Sequence, residues 1–318
     1  MNTIPIIIDT DPGLGEPGNV IDDGLAIAFA LASPELDVLG LTVVNGNVGV
    51  VTGHTLAHDL LERLGRSDVP VHLGAAAPLR QDMARVWQVF HSAVQSAAPE
   101  PATGVVADAA GWLVEQVSAR PGEITLAAIG PLTNVAEAIG LDPDFASKVN
   151  EIVVMAGDAT AVAGEVGTRA PDFNVFVDPE AADVVLRSGA KIRMIGIDQT
   201  SRVRLTTKDA ASLRAQDSGN GVGAWLGDCV DAWIEEESRA ESDDPESFCL
   251  LHDPLVIATI LRPDLCEFAD VEVAVDLEQG CLVLAPHERA DATATVAAAV
   301  DSDVPAVRAL FLDRMATL

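Results

Sequence analysis

The chain has 318 residues, 49% of them hydrophobic and 21% charged, so it carries enough apolar surface for a buried core and is not a disordered or low-complexity chain. Its 49 acidic residues against 19 basic ones leave a formal charge of −30, which argues against nucleic acid and anionic membranes as partners, and no apolar run reaches the roughly 18 residues that span a bilayer. The four cysteines, Cys229, Cys249, Cys266 and Cys281, form no CxxC pair and read as reduced thiols of a cytoplasmic protein.

The start, "MNTIPIIID", enters a strand-like run at once and leaves no room for a signal peptide. "IPIIID" (4–9) predicts a first strand, followed by a helix from about Asp22 to Ala32. "DVLGLTVV" (37–44) predicts a strand and then a helix near 50–65. "EITLAAIG" (123–130) leads into "PLTNVAEAIG", and "NEIVVMAG" (150–157) follows. The helix "DPEAADVVLRSG" precedes the strand "KIRMIGID" (191–198). "CEFADVEVAVDL" and "CLVLA" suggest an edge hairpin, and a last helix begins near Val304. Near-continuous apolar strands alternating with helices predict an α/β fold with an open, mostly parallel central sheet and helices on both faces. No linker, charge block or repeat divides the chain, so residues 1–318 are expected to form one domain.

Polar residues recur after these strands: Asp9 and Asp11, Asn45 and Asn47, Thr133 and Asn134, Asp158, Asp198. Turn chemistry can place Asp or Asn after any one strand. Repetition after several strands points to a site, because ligands of open parallel sheets bind outside the strands' carboxyl ends. The stretch "DTDPGLGEPGNVIDDGLAIAFAL" (9–31) concentrates four aspartates, Asp9, Asp11, Asp22 and Asp23, around a Gly/Pro-rich loop. Three of them sharing a small volume require neutralisation, and all-oxygen ligands favour Ca²⁺ or Mg²⁺ over zinc. For Asp22 and Asp23 the alternative is purely structural, as carboxylates at a helix N-terminus.

These residues carry a resemblance to the nucleoside hydrolase family, the inosine–uridine-preferring nucleoside N-ribohydrolases, whose signature is D-x-D-P-G-x-D-D. Asp9, Asp11, Pro12 and Gly13 match, as do Asp22 and Asp23 after a longer spacer. "GPLTNVAEA" (130–138), "VMAG" (153–156), "DFNVFVDPEAA" (172–182) and "LHDP" (251–254) match in family order. The resemblance implies a Rossmann-like nucleoside hydrolase fold, a Ca²⁺ cofactor, hydrolysis of ribonucleosides for salvage, and homodimers or homotetramers. It makes Asp11 the general base and a metal ligand. Asp23, Asp253 and the backbone carbonyl of Thr133 are the other metal ligands. Asp22, Asn47, Asn174 and Met155 line the ribose site, Asp9 supports the metal ligands, and His252 is the acid for the departing base. Calcium is a weak Lewis acid, so a carboxylate base is still needed, and an imidazole with a pKa near 6.5 is available in either protonation state.

Three departures from the family pattern stand out. Eight residues, "LGEPGNVI" (14–21), replace one between the two acid pairs, and are expected to bulge out as a flap over or beside a single metal site. Asp172 stands where the family has Glu, and its shorter arm must still reach the ribose hydroxyls. Glu165 stands where the family often has Asn. His91, in "VFHSAVQ", falls where many members carry a base-binding loop and is a candidate base contact. Trp225 and Trp233 precede "LHDP", in a region that encloses the base in the family. His54 and His58 read as surface or packing residues. Two other functions stay open. "DTD" after a first strand also suits a haloacid-dehalogenase-type phosphohydrolase, though no motif lysine accompanies it. The altered spacing also suits a non-catalytic ribose-binding protein.

Lysine occurs only at positions 148, 191 and 208. An acid-rich, lysine-poor chain fits either a salt-rich cytoplasm, where screening relieves self-repulsion, or an ordinary acidic bacterial protein. Salt adaptation requires the unfolding temperature to rise strongly between low and molar KCl. A flat response identifies the ordinary case.

Overall fold

In the computed structural model, strand β1 (Ile4–Thr10) is apolar on both faces because both faces are covered. Ile6 and Ile8 enter one hydrophobic core and Ile7 the other, all three at 0% exposure, as the twofold alternation of a strand requires. The structure describes residues 3–16, 19–90, 106–159, 172–240, 247–284 and 294–318. The first core takes in the helices Asp22–Leu31, His252–Leu261 and Val304–Met315, with Phe29 edge-on to Phe311 at 5.4 Å. The second takes in Ala109–Ala119, Thr133–Leu141 and Pro179–Leu186.

The remaining strands are β2 (Leu36–Val43), β3 (Val71–Leu73), β4 (Thr125–Ala128), β5 (Glu151–Met155), β6 (Ile192–Ile195), β7 (Arg204–Thr206), β8 (Phe248–Leu250), β9 (Cys266–Asp276), β10 (Cys281–Leu284) and β11 (Ala294–Ser302). Among the described residues nine of the eleven form one sheet, ordered β10-β9-β11-β6-β5-β4-β1-β2-β3. β1 through β6 run parallel to their neighbours, β11 runs parallel to β6 but antiparallel to β9, and β9 and β10 pair antiparallel. β7 and β8 make a separate antiparallel ribbon. The expected α/β sheet with helices on both faces is therefore present. Connections run outward from β1 in both directions, so the topological switch point lies between β1 and β4, where open α/β sheets bind ligands. Among the described residues no helix is long and apolar enough to cross a membrane.

The predicted C-terminal hairpin forms, but β11 lies between β9 and the parallel strands. "ATVAAAVDS" gives no strand signal because alanine is a poor strand former. Here its small side chains suit a thin, fully covered part of the sheet, with Ala298 and Ala299 at 0% exposure. Arg193 of β6 makes a two-pronged pair with Glu151 of β5, at 3.0 and 2.8 Å, and donates to the carbonyl of Thr259 at 2.9 Å. That tie anchors the helix beginning at His252 to the sheet.

Candidate active site

Asp9 lies within β1, with Asp11 just beyond its end, at the switch point. The Oδ1 of Asp9 accepts from Thr42 (2.5 Å) and Asn134 (2.8 Å), which locks three neighbouring strand ends together. Asp23 heads the helix Asp22–Leu31 but turns back toward β1. Its Oδ1 accepts from the Thr10 hydroxyl (2.5 Å) and the Asp11 N–H (3.1 Å), and its Oδ2 accepts from the Asn47 amide (2.9 Å). Asp22 reaches across to the N–H groups of His252 (3.1 Å) and Asp253 (3.4 Å) at the start of another helix. Capping of their own helix therefore does not account for this pair. Asp22, Asp23 and Asp253 each bring a carboxylate oxygen within 4.8 Å of the others.

Asp11 stands beside that trio. Its Oδ2 accepts from the Asn47 N–H at 2.7 Å, while its buried Oδ1 has no partner. Gly46 and Gly130 wrap it closely: a Cβ at Gly46 would collide with the Asp11 carboxylate, and one at Gly130 would sit 2.7 Å from Oδ1. Thr133 donates its hydroxyl to Asp178 (2.7 Å). Asp178 is itself fixed by the N–H groups of Leu79 and Ala181.

Burial pushes the Asp23 carboxyl up to about 7, reinforced by the Asp22 charge, and burial alone pushes Asp22 up to about 6. Asp11 and Asp253 are raised well above the carboxylate range, first by burial and then by the other aspartates. Such a group is stable as carboxylates only with a cation among them. A like-charged, all-oxygen cluster with an orphaned buried oxygen fits a hard divalent ion.

The cavity beside the cluster measures about 430 Å³, within the range of small-molecule sites. Asp22, Asp23, Asn47, Met155, Asp172, Asn174, His252 and Asp253 all line it, so most of the predicted site residues converge. Asp11 and Thr133 are not among the lining residues. Asn174 donates its amide hydrogens to the carbonyls of Ile129 (2.9 Å) and Met155 (3.1 Å), which leaves its own carbonyl oxygen for a ligand. His91 and Glu165 lie outside the described residues.

Several expectations need correction. Asp172 lines the cavity, and its carboxylate also serves the backbone. Its carboxylate accepts from the N–H groups of Gly157 (2.7 Å), Asn174 (3.1 Å) and Val175 (3.3 Å), capping the helix Phe173–Val177. The short arm ends on the backbone and positions Asn174. Asp158 and Asp198 are not in the cavity lining; Asp198 holds the Ala159 N–H and the Gln199 amide. His252 contacts the Thr200 hydroxyl through Nδ1 at 2.7 Å, and burial lowers its pKa to about 4. The ring is therefore neutral at pH 7, not poised between two states. The 14–21 segment is not a simple protrusion: Leu14 and Ile21 are core residues, while Asn19 and Val20 line the cavity. Glu236 and Glu237 also line it, beside Trp233. Their spacing, i, i+3, i+4, on the helix Val222–Ala240 was the available signal.

The switch-point position and the acid-lined cavity define an α/β protein with a built small-molecule site. The family described as inosine-uridine preferring nucleoside hydrolase matches residues 6–309, and the chain belongs to that family: it is a nucleoside hydrolase, an enzyme that cleaves the N-glycosidic bond of ribonucleosides. It is 36% identical to a probable uridine nucleosidase 2 of Arabidopsis thaliana, over 98% of this chain and 97% of the relative. It is 35% identical to the pyrimidine-specific ribonucleoside hydrolase RihA of Citrobacter koseri, over 86% of this chain and 84% of the relative. Among solved structures it resembles a plant nucleoside hydrolase, the PpNRh1 enzyme, with a TM-score of 0.78, 32% identity and 98% coverage of both chains. It also resembles a purine-preferring ribonucleoside hydrolase from Gardnerella vaginalis, with a TM-score of 0.81, 27% identity and 98% coverage of both chains. The resemblance drawn from the motifs holds, and the phosphohydrolase alternative falls.

Proposed function

We propose that this nucleoside hydrolase is Ca²⁺-dependent, prefers pyrimidine ribonucleosides such as uridine, and serves nucleoside salvage. The observation that carries the metal reading is the convergence of three buried carboxylates, Asp22, Asp23 and Asp253, at the edge of the cavity, with Asp11 and its orphaned oxygen beside them. Relatives named for uridine and pyrimidine nucleosides support the base preference. Asp11, Asp23, Asp253 and the Thr133 carbonyl would hold the ion, with Asp22 beside them. When bound, calcium supplies coordination positions for ribose hydroxyls and modest acidification of water. Assembly as a homodimer or homotetramer and a single domain over 1–318 belong to the same proposal. A panel of purine and pyrimidine ribonucleosides with free base quantified tests it: uridine should lead, and binding without turnover would favour a non-catalytic protein.

The reaction builds positive charge on ribose as the base departs. Asp22, Asn47 and the Asn174 carbonyl orient the hydroxyls, and nearby carboxylates stabilise the sugar cation. Asp11 takes the proton of the attacking water. Gly46 gives it room. Gly46→Ala should displace the carboxylate and lower kcat by about 10²-fold, the scale of a 1 Å misplacement. An unchanged kcat would show that this placement is unimportant.

His252 faces the departing base as a neutral imidazole and offers an N–H. His252→Ala should lower kcat for uridine by about 10²-fold or more, with metal content unchanged. p-Nitrophenyl riboside, whose phenolate leaves unaided, should lose far less. Equal losses would assign His252 to ribose placement.

A further inference from the structure

The insert between the two acid pairs brings its own polar group to the cavity. Turn bonds close it, from the Glu16 N–H to the Gly13 carbonyl (3.1 Å) and from the Asn19 N–H to the Glu16 carbonyl (3.2 Å). A Cβ at Gly13 would meet the Val20 carbonyl at 2.7 Å, so the two ends are pinched together and Asp22 returns to the metal cluster. Leu14 and Ile21 anchor the loop in the core, and Gly15, at φ +106, lies next to Trp225 of the helix Val222–Ala240. That same helix sends Trp233, Glu236 and Glu237 into the cavity. Asn19 lines the same cavity as the metal cluster and this helix. It is 4% exposed, and its Nδ2 has no hydrogen-bond partner. The amides of Asn47 and Asn174, by contrast, are spent on Asp23 and on backbone carbonyls.

An unpaired buried N–H₂ is costly unless a ligand supplies the acceptor. Ribose hydroxyls already have carboxylates to donate to. We propose, resting on the ribonucleoside hydrolase reading, that Asn19 is a base-recognition residue whose Nδ2 donates to the 2-carbonyl oxygen of a pyrimidine ribonucleoside. That oxygen is an acceptor only, and it adjoins the scissile C1′–N1 bond. As the bond breaks, the electron pair moves into the base and charge gathers on N1 and this oxygen. The Asn19 hydrogen bond strengthens at that point and favours the transition state over the bound substrate.

The test compares Asn19→Ala and the nearly isosteric Asn19→Leu on uridine and on p-nitrophenyl riboside, which has no carbonyl beside its glycosidic bond. Uridine kcat/KM should fall about 10- to 100-fold in both variants, the scale of one hydrogen bond to a charged group. p-Nitrophenyl riboside should stay within about threefold, which also reports correct folding. Equal losses on both substrates, or no loss on uridine, overturn the assignment. Should both variants misfold, the unaltered protein decides: it should discriminate more strongly against 2-thiouridine than against 4-thiouridine, and the reverse order overturns the assignment. Absence of uridine turnover by the unaltered protein overturns the pyrimidine reading as well, whereas turnover without an Asn19 effect overturns this inference alone.

Discussion

Asp23→Ala is expected to lose bound metal and free-base release together. Asp23 ties the first helix to Thr10, Asp11 and Asn47 and belongs to the oxygen cluster with Asp22 and Asp253. Removing it should weaken metal retention by more than the roughly 10- to 100-fold that outer partners of a metal site are worth. Metal content by elemental analysis and base release checks both halves, and full activity in a metal-stripped variant would refute the assignment. The same cluster sets a pH dependence in the unaltered protein. Burial raises Asp9 and Asp23 to about 7 and Asp22 to about 6. Folded-state values above the unfolded ones mean that this stability is fully present only below about pH 4 and is lost progressively as pH rises to about 7. His252 opposes this, since its lowered pKa costs stability as pH falls from 6.5 toward 4. Several carboxylates outweigh one imidazole above pH 6. Metal-stripped protein should therefore unfold at a lower temperature at pH 8 than at pH 6, and added Ca²⁺ should raise the midpoint most at pH 8. A midpoint that rises with pH without metal would contradict the buried-carboxylate picture.

Asp11→Asn should remove the proton acceptor while keeping the shape. The amide oxygen can preserve the contact with the Asn47 N–H, and Asp23, Asp253 and the Thr133 carbonyl remain as proposed ligands of the ion, with Asp22 beside them. The expected result is a kcat lower by about 10²–10⁴-fold, the usual worth of general base help, with metal retained and KM little changed. A kcat near that of the unaltered protein would move the base role elsewhere.

Much of this site was legible because it sits on strong local signals. The apolar run of β1 ends in Asp9 and Asp11, and two further acids open the next helix. The repetition of polar residues after parallel strands located the crevice, although Asp158 and Asp198 obey the same pattern without lining it. What stayed hidden depends on distant contacts. Asp172 reads from the sequence as a hydroxyl ligand, and its hold on the Gly157 N–H, fifteen residues away, is visible only in the fold. The neutral state of His252 comes from burial beside Thr200, 52 residues away in the chain. β11 was missed because its alanines favour helix locally and become strand only where the sheet needs thin side chains. The Gly/Pro insert reads as a loop, and nothing local marks Asn19 as buried within it.

Release of free base from uridine, measured on metal-stripped protein before and after Ca²⁺ is returned, bears most directly on the carboxylate cluster as a catalytic cation site. Stripping should abolish release and Ca²⁺ should restore it. Undiminished release by the stripped protein would contradict a catalytic role for a cation held by Asp11, Asp23, Asp253 and the Thr133 carbonyl.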